Sequence, residues 1–262
     1  MSAIPQGSLS DRIALVTGAG SGIGKASAKA LAHAGAFAVI VGRTVSELEE
    51  TKYEIEHSGG QAMVLKADVS SEDEIRSVFT EIVSRWGRLD ILLANAGING
   101  VWAPLEQIET HEWDETVGIN LKGTYLTLKH AAPLLKKHGG SVIVTASVNG
   151  TRTFTNIGAT AYACTKAAQL ALVKMLALEW AEHRVRLNAI CPGAITTRIE
   201  DSVKKRGLDH VPSWAGDSAI PLTEGKPGTA EQVADLVWFL ASDASSHITG
   251  TEIFIDGGQS LV

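Results

Sequence analysis

The sequence is short of the residues that cross-link a chain, and short of positive charge. It holds only two cysteines, Cys164 and Cys191. Both sit inside motif segments, and they are read as free thiols in a reducing cytosol, with a disulfide as the weaker alternative. Eight histidines show neither H-E-x-x-H spacing nor an adjacent carboxylate cluster. No metal site is therefore expected, and His111, His130 and His138 are expected at the surface. Lysine and arginine number 23 against 29 acidic residues, a net charge of −6. That balance argues against nucleic acid or an anionic membrane as the main partner, although a local basic pocket could still hold a phosphate. No apolar run approaches the roughly 18 residues that cross a bilayer. The opening MSAIPQGSLSDR has neither a signal-peptide core nor an Arg-rich transit pattern, so the expected location is cytoplasmic. Repeats, low-complexity tracts and linkers are also missing. One domain over 1–262 is expected, with 1–9 a flexible lead-in.

What is present is a regular alternation. Ile13 to Thr17 is a continuous apolar run, as in a parallel strand buried on both faces. A Gly-rich turn and a helical pattern from Lys25 to Ala34 follow, closed by Gly35. Further strands are predicted at 38–41, 62–67, 89–93, 141–146, 185–190 and 251–255. Helices are predicted at 46–57, 71–86, 110–137, 160–181 and 230–242. The remaining stretch, 198–228, reads as an irregular substrate-loop region. Strands alternating with helices specify the α/β class, a single doubly wound, Rossmann-type parallel sheet of about seven strands with helices on both faces.

Thr17-Gly18-Ala19-Gly20-Ser21-Gly22-Ile23-Gly24 lies between the first strand and the first helix. There the chain must turn sharply and admit a pyrophosphate to the backbone, which glycine permits. A Walker loop would need Gly at Ala19 and Ser or Thr at Ala26, and the G-x-G-x-x-G spacing is not met either. Gly18, Ser21, Gly22, Ile23 and Gly24 are the candidate phosphate contacts. The second strand ends Val41-Gly42-Arg43-Thr44, with no Asp or Glu for a ribose 2′-hydroxyl. A guanidinium pairs with a 2′-phosphate, so Arg43 favours NADP(H). NAD(H) stays open, because Arg43 could equally be solvated or stack on adenine, and Ser21 brings no second positive charge.

Tyr162 and Lys166 are four residues apart at the start of a helix, and project from one face. Lowering a tyrosine pKa from about 10 to about 7 takes roughly 4 kcal/mol, the order that one ammonium at about 4 Å supplies in an effective dielectric of about 20. Such a pair passes a proton to or from a substrate oxygen while hydride moves. Ser147 follows the buried run 142–145, where its hydroxyl can polarise the same oxygen. Asp68-Val69 and Asn95-Ala96-Gly97 fall at two other strand ends.

These motifs, with Asn120, Asn188, Pro192-Gly193 and Asp256-Gly257-Gly258, make the chain resemble the short-chain dehydrogenases/reductases of the short, single-domain type, from about Leu9 to Leu261. The resemblance implies a catalytic tetrad of Asn120, Ser147, Tyr162 and Lys166, with Asn120 holding a water that relays protons through Lys166. It implies that Lys166 also hydrogen-bonds the nicotinamide ribose, that Tyr162 too contacts the cofactor, and that Ile195 and Thr197 face the carboxamide. Asp68 and Val69 would flank the adenine, and Asn95 to Gly97 the adenosine ribose. Ser147 and Tyr162 stand fifteen apart, wider than the family's usual spacing, so a bulge is expected within 149–159 beside the substrate.

The helix 166–181 is apolar around most of its circumference, which fits either burial in the monomer or, by the resemblance, a homotetramer (or homodimer) interface. Trp102, Trp214 and 201–227 are read as a substrate lid or as structural. The function expected is hydride transfer between NADP(H) and a secondary alcohol or carbonyl bound at Ser147 and Tyr162. Alternatives are an NAD-linked enzyme of the same family, a catalytically silent cofactor sensor, or an isomerase that uses nicotinamide transiently. Substrate, direction and stereochemistry are not written in the motifs.

Overall fold

Runs such as Ile13-Ala14-Leu15-Val16 can be apolar at every position only if both sheet faces are covered. In the computed structural model, which describes residues 4–211 and 220–262, they are. The sheet strands are β1 (Ile13–Thr17), β2 (Phe37–Gly42), β3 (Gln61–Lys66), β4 (Ile91–Ala94), β5 (Gly140–Thr145), β6 (Val185–Pro192) and β7 (Glu252–Ile255). They pair in parallel in the order β7-β6-β5-β4-β1-β2-β3. Successive side chains alternate between two cores. Leu15, Val39, Leu92 and Val142 enter one, while Ala14, Val16, Ile40 and Ile143 enter the other.

The helices are α1 (Gly22–His33), α2 (Val45–His57), α3 (Glu72–Trp86), α4 (Thr110–Val117), α5 (Gly123–His138), α6 (Thr160–Trp180) and α7 (Ala230–Ala241). Leu31 of α1, Leu48 of α2 and Val237 of α7 close the second core. Ile75 of α3, Leu126 of α5 and Leu170 of α6 close the first. The strand order reverses between β1 and β4, and in such a sheet the crevice opens there, beyond the carboxyl ends of the strands.

Several expectations need correction. The helix expected over 110–137 is broken by a π-turn at Gly118–Lys122, which places Asn120 inside the wider turn. Helix α1 starts at Gly22, because the glycine turn is already its first turn. The irregular stretch holds two short strands: Lys204–Lys205 pairs with Val101–Trp102, and Gly228–Thr229 with Ile195–Thr196. In the lead-in 1–9, Ile4 and Leu9 are buried in the second core, and the Leu9 N–H donates to Ala34 O at 2.8 Å. His130 is half-buried rather than fully exposed; it stacks on Phe79 and reaches Glu72 at 3.3 Å. Trp214 lies outside the described residues.

Candidate active site

Thr17 ends β1 and ties the strand ends together. Its Oγ1 accepts from the Asn95 and Ala96 N–H groups at 3.0 and 3.2 Å. Asn95 Nδ2 donates to Thr17 O at 3.1 Å, and Asn95 Oδ1 accepts from Thr145 Oγ1 at 3.1 Å. The Asn95 carboxamide is thus a brace across β1, β4 and β5. The chain then turns with Gly18 at φ +67° and Gly22 at φ +51°. A Cβ on Gly24 would stand 2.1 Å from Gly18 O, so only glycine lets α1 press against the turn. Helix α3 carries three acids in its first turn and a Ser71 cap; α1 has no acid there and no side-chain cap. Its first N–H groups and its dipole are left for an anion.

A cavity of about 1070 Å³ runs from this cradle along the strand ends. Gly18, Ser21, Gly22, Ile23, Asn95, Gly97, Ile195 and Thr197 line it, together with Ser147, Tyr162 and Lys166. A glycine cradle and an uncapped helix end at one extremity, with a proton-transfer pair at the other, fit a dinucleotide. The other expected contacts are placed differently. Val69 is buried in the first core, where a Cβ on Gly123 would meet its Cγ2 at 2.6 Å. Arg43 is exposed, with its Nη1 4.0 Å from Asp68 Oδ2. Burial works against the charge of Asp68, yet hydrogen bonds from Ser70 and the nearby Arg43 hold its carboxyl below the ordinary range. Arg43 therefore shares its charge with a carboxylate.

Ser147, at the end of β5, and Tyr162 and Lys166, on the first turns of α6, are all buried. Ser147 Oγ donates to Asn149 Oδ1 at 3.3 Å and accepts from the Asn149 N–H at 3.2 Å. Lys166 Nζ donates to Thr145 O at 2.7 Å and lies 5.5 Å from the centre of the Tyr162 ring. Burial pushes Tyr162 above its ordinary value, with hydrogen bonding to Ser147 only partly opposing it. Burial also lowers Lys166 to about 8 and pushes the neighbouring Cys191 thiol up to about 12. The expected lowering of Tyr162 by Lys166 is therefore not achieved by the protein groups alone. Burial dominates at the phenol, and in the same pocket the ammonium is itself stripped of water.

Asn120 is fully buried, one layer behind the cavity. Its Oδ1 accepts from the Ile98 N–H at 2.8 Å, and its Nδ2 donates to Ile98 O at 2.9 Å and to Thr165 Oγ1 at 3.2 Å. Its carbonyl accepts from Thr124 Oγ1 at 2.7 Å and from Gln169 Nε2 at 2.8 Å. Gly97 passes in front of it: a Cβ there would stand 3.2 Å from Asn120 Oδ1 and 3.7 Å from Lys166 Nζ. Gln169 escaped sequence reading, although one amide on the buried face of an apolar helix was a usable signal.

The widened 149–159 loop does border the cavity, through Asn149, Thr153, Thr155 and Asn156. Asn156 Nδ2 donates to Asn149 Oδ1 at 3.3 Å. Gly158, at φ +84°, lets this loop lie against Trp102, where a Cβ would come within 3.0 Å of its carbonyl carbon. Trp102, Ile199, Ser202 and Lys205 are also part of the lining. Gln259, another residue the motifs did not flag, accepts from the Ala194 N–H at 2.8 Å and steadies the 192–197 turn. Both cysteines are free, with Cys164 exposed.

A family model described as enoyl-(acyl carrier protein) reductase matches residues 18–260. Levodione reductase of Leifsonia aquatica is 37% identical over 261 residues, covering 98% of this chain and 97% of its own. The crystal structure of a 3-ketoacyl-ACP reductase from Sinorhizobium meliloti is 50% identical, with a TM-score of 0.90 over 95% of this chain and 99% of that one. A 3-ketoacyl-(acyl-carrier-protein) reductase from Brucella melitensis, complexed with NADH, is 31% identical, with a TM-score of 0.85 over 96% and 99%. With the glycine cradle, the parallel sheet and the buried Ser147, Tyr162 and Lys166 in place, the chain belongs to the short-chain dehydrogenase/reductase family, NAD(P)-dependent enzymes acting on carbonyl and hydroxyl groups.

Proposed function

We propose that the chain moves hydride between NADP(H) and a secondary alcohol or its carbonyl form, with Tyr162 as general acid and base. The observation that carries this reading is the convergence of Ser147, Tyr162 and Lys166 in one cavity with the glycine cradle. Gly18, Ser21, Gly22, Ile23 and the α1 terminus would hold the pyrophosphate; Ile195 and Thr197 would face the carboxamide, and Lys166 the ribose. When bound, the nicotinamide supplies hydride exchange and, in its oxidised form, a positive charge beside Tyr162. Tyr162 then gives its proton to the substrate oxygen in reduction and takes it back in oxidation, while the Ser147 hydroxyl turns from Asn149 to that oxygen. Asn120 fixes the β4 turn against Lys166. Replacing Tyr162 by Phe should cut turnover about a hundredfold to ten-thousandfold with cofactor binding retained. Normal turnover in that variant would sink the reading.

A second reading, NAD(H) in place of NADP(H), has a specific observation behind it. Asp68 lies against Arg43 and would meet a 2′-phosphate unfavourably. Titrating NADH and NADPH by fluorescence separates the two. The NADP reading expects tighter NADPH binding that weakens in Arg43→Asp, and equal affinities refute it.

Among the described residues no helix is long and apolar enough to cross a membrane, and a cytoplasmic, homotetrameric (or homodimeric) enzyme is part of the proposal. Helix α6 supports the assembly. It buries Leu170, Val173 and Ala177 but leaves Met175 at 74% and Leu178 at 83% exposure.

A further inference from the structure

Lys205 is a cation for which proton and hydride transfer have no use. The pairing of Val101–Trp102 with Lys204–Lys205 sets Trp102 opposite Lys205. Lys205 Nζ then lies 5.5 Å from the centre of the Trp102 ring. The next residue leaves the cavity: Arg206 turns to Glu112 and to the Gln107 carbonyl.

Among the described residues, three cations line the cavity. Lys166 is committed to Thr145 O, and Arg198 is paired with Glu47 beside the glycine turn. Lys205, among the described residues, meets only the face of an indole. Among the described lining residues none is Asp or Glu, although the chain as a whole carries a net charge of −6. An unneutralised cation in such a lining favours a negatively charged guest.

A second observation points the same way. Trp102 Nε1 is buried and has no hydrogen-bond partner, whereas a buried indole N–H ordinarily finds one. On the loop wall, Asn149 Oδ1 is already taken by Ser147 and Asn156, which leaves its Nδ2 hydrogens for an acceptor. The cavity thus offers a cation, a buried indole N–H and a carboxamide N–H to one guest group.

We propose that the substrate carries an anionic oxygen group, a carboxylate or phosphate, held by Lys205 and the Trp102 N–H while its carbonyl or hydroxyl lies on Ser147 and Tyr162. The first half stands on the cavity alone; the second rests on the oxidoreductase reading. In the reducing direction the carbonyl carbon takes hydride from NAD(P)H, its oxygen takes the Tyr162 proton, and the anionic group passes through unchanged.

Calorimetric titration of the full chain, with oxidised cofactor present, tests the site using two matched pairs: acetoacetate against methyl acetoacetate, and dihydroxyacetone phosphate against dihydroxyacetone. The anion of at least one pair should bind about ten to a hundred times more tightly than its neutral partner, the range of a charge-assisted contact. The pair with the larger ratio names the anion. Lys205→Gln should bring that ratio close to one. Trp102→Phe, which keeps the ring under Lys205 but removes the N–H, should lower it about threefold, a fraction of a neutral hydrogen bond. Ratios near one in the wild type, a ratio that survives Lys205→Gln, or no binding of any of the four would overturn the inference. Consumption of NAD(P)H with the same compounds is scored separately. Preferred binding without reduction keeps the anion site and overturns the placement of the bound carbonyl on Ser147 and Tyr162; reduction without preference overturns the anion site and keeps the redox reading.

Discussion

Lys166 carries a charge where almost no water reaches it, and the cost of that arrangement is measurable. Its pKa falls from the ordinary 10.5 to about 8 through burial. Between those values the unfolded chain holds a proton that the folded chain has released, so stability rises with pH across that window. Below about 8 the penalty is fully present. Relative to Lys166→Met, the wild type should gain about 3 kcal/mol of unfolding free energy between neutral pH and pH 10.5, by urea titration at each pH. A difference that stays flat with pH would show that Lys166 is not desolvated as described. Tyr162 and Lys166 were legible as a pair because four residues is one helical turn. Their pKa values were not. The sequence shows that an ammonium is near, but not that the same walls strip water from both partners. Gln169 escaped for a related reason, since it acts through hydrogen bonds to Asn120 and Thr124, far away in the chain and hidden behind the cavity.

At the scale of elements, the sheet and most helices were legible because most strands are built on a short apolar run and several helices end in a recognisable stop. Gly87, for example, closes α3 in the left-handed conformation at φ +63°. The π-turn at Gly118–Lys122 was not legible. One extra residue in a helical turn leaves the hydrophobic period nearly intact on either side, so 110–137 reads as one helix. Two glycines make opposite predictions here. Gly24→Ala puts a methyl 2.1 Å from Gly18 O, and should destabilise the fold by about 1–3 kcal/mol and abolish cofactor-induced stabilisation in a thermal melt. Gly118→Ala meets nothing within 4 Å and sits at φ −58°. It should raise stability by about 0.5–1 kcal/mol with activity retained. A Gly118→Ala variant as damaged as Gly24→Ala would mean that the π-turn needs glycine itself.

For the whole molecule, the sequence could say that helix 166–181 is apolar all round, but not which side its own sheet covers. The structure assigns Leu170, Val173 and Ala177 inward, and leaves Ala167, Ala171, Met175 and Leu178 on an exposed stripe. If that stripe joins copies of the chain, replacing Met175 and Leu178 together by Glu should reduce the sedimenting species to monomer at micromolar concentration. An unchanged mass would place the interface elsewhere. The placement of Gln259 also carries a consequence for how the protein is made. A nascent chain emerges from the ribosome at about 5–20 residues per second, and what emerges first folds first. The cradle of Gly18 to Gly24 and the Tyr162–Lys166 pair are complete long before β7 arrives to cover the edge of β6. Only after that does Gln259 fasten the Ala194 N–H and set the 192–197 turn. Translation therefore sets the order of assembly: the 192–197 turn can be fixed only after β7 and the turn that follows it have left the ribosome.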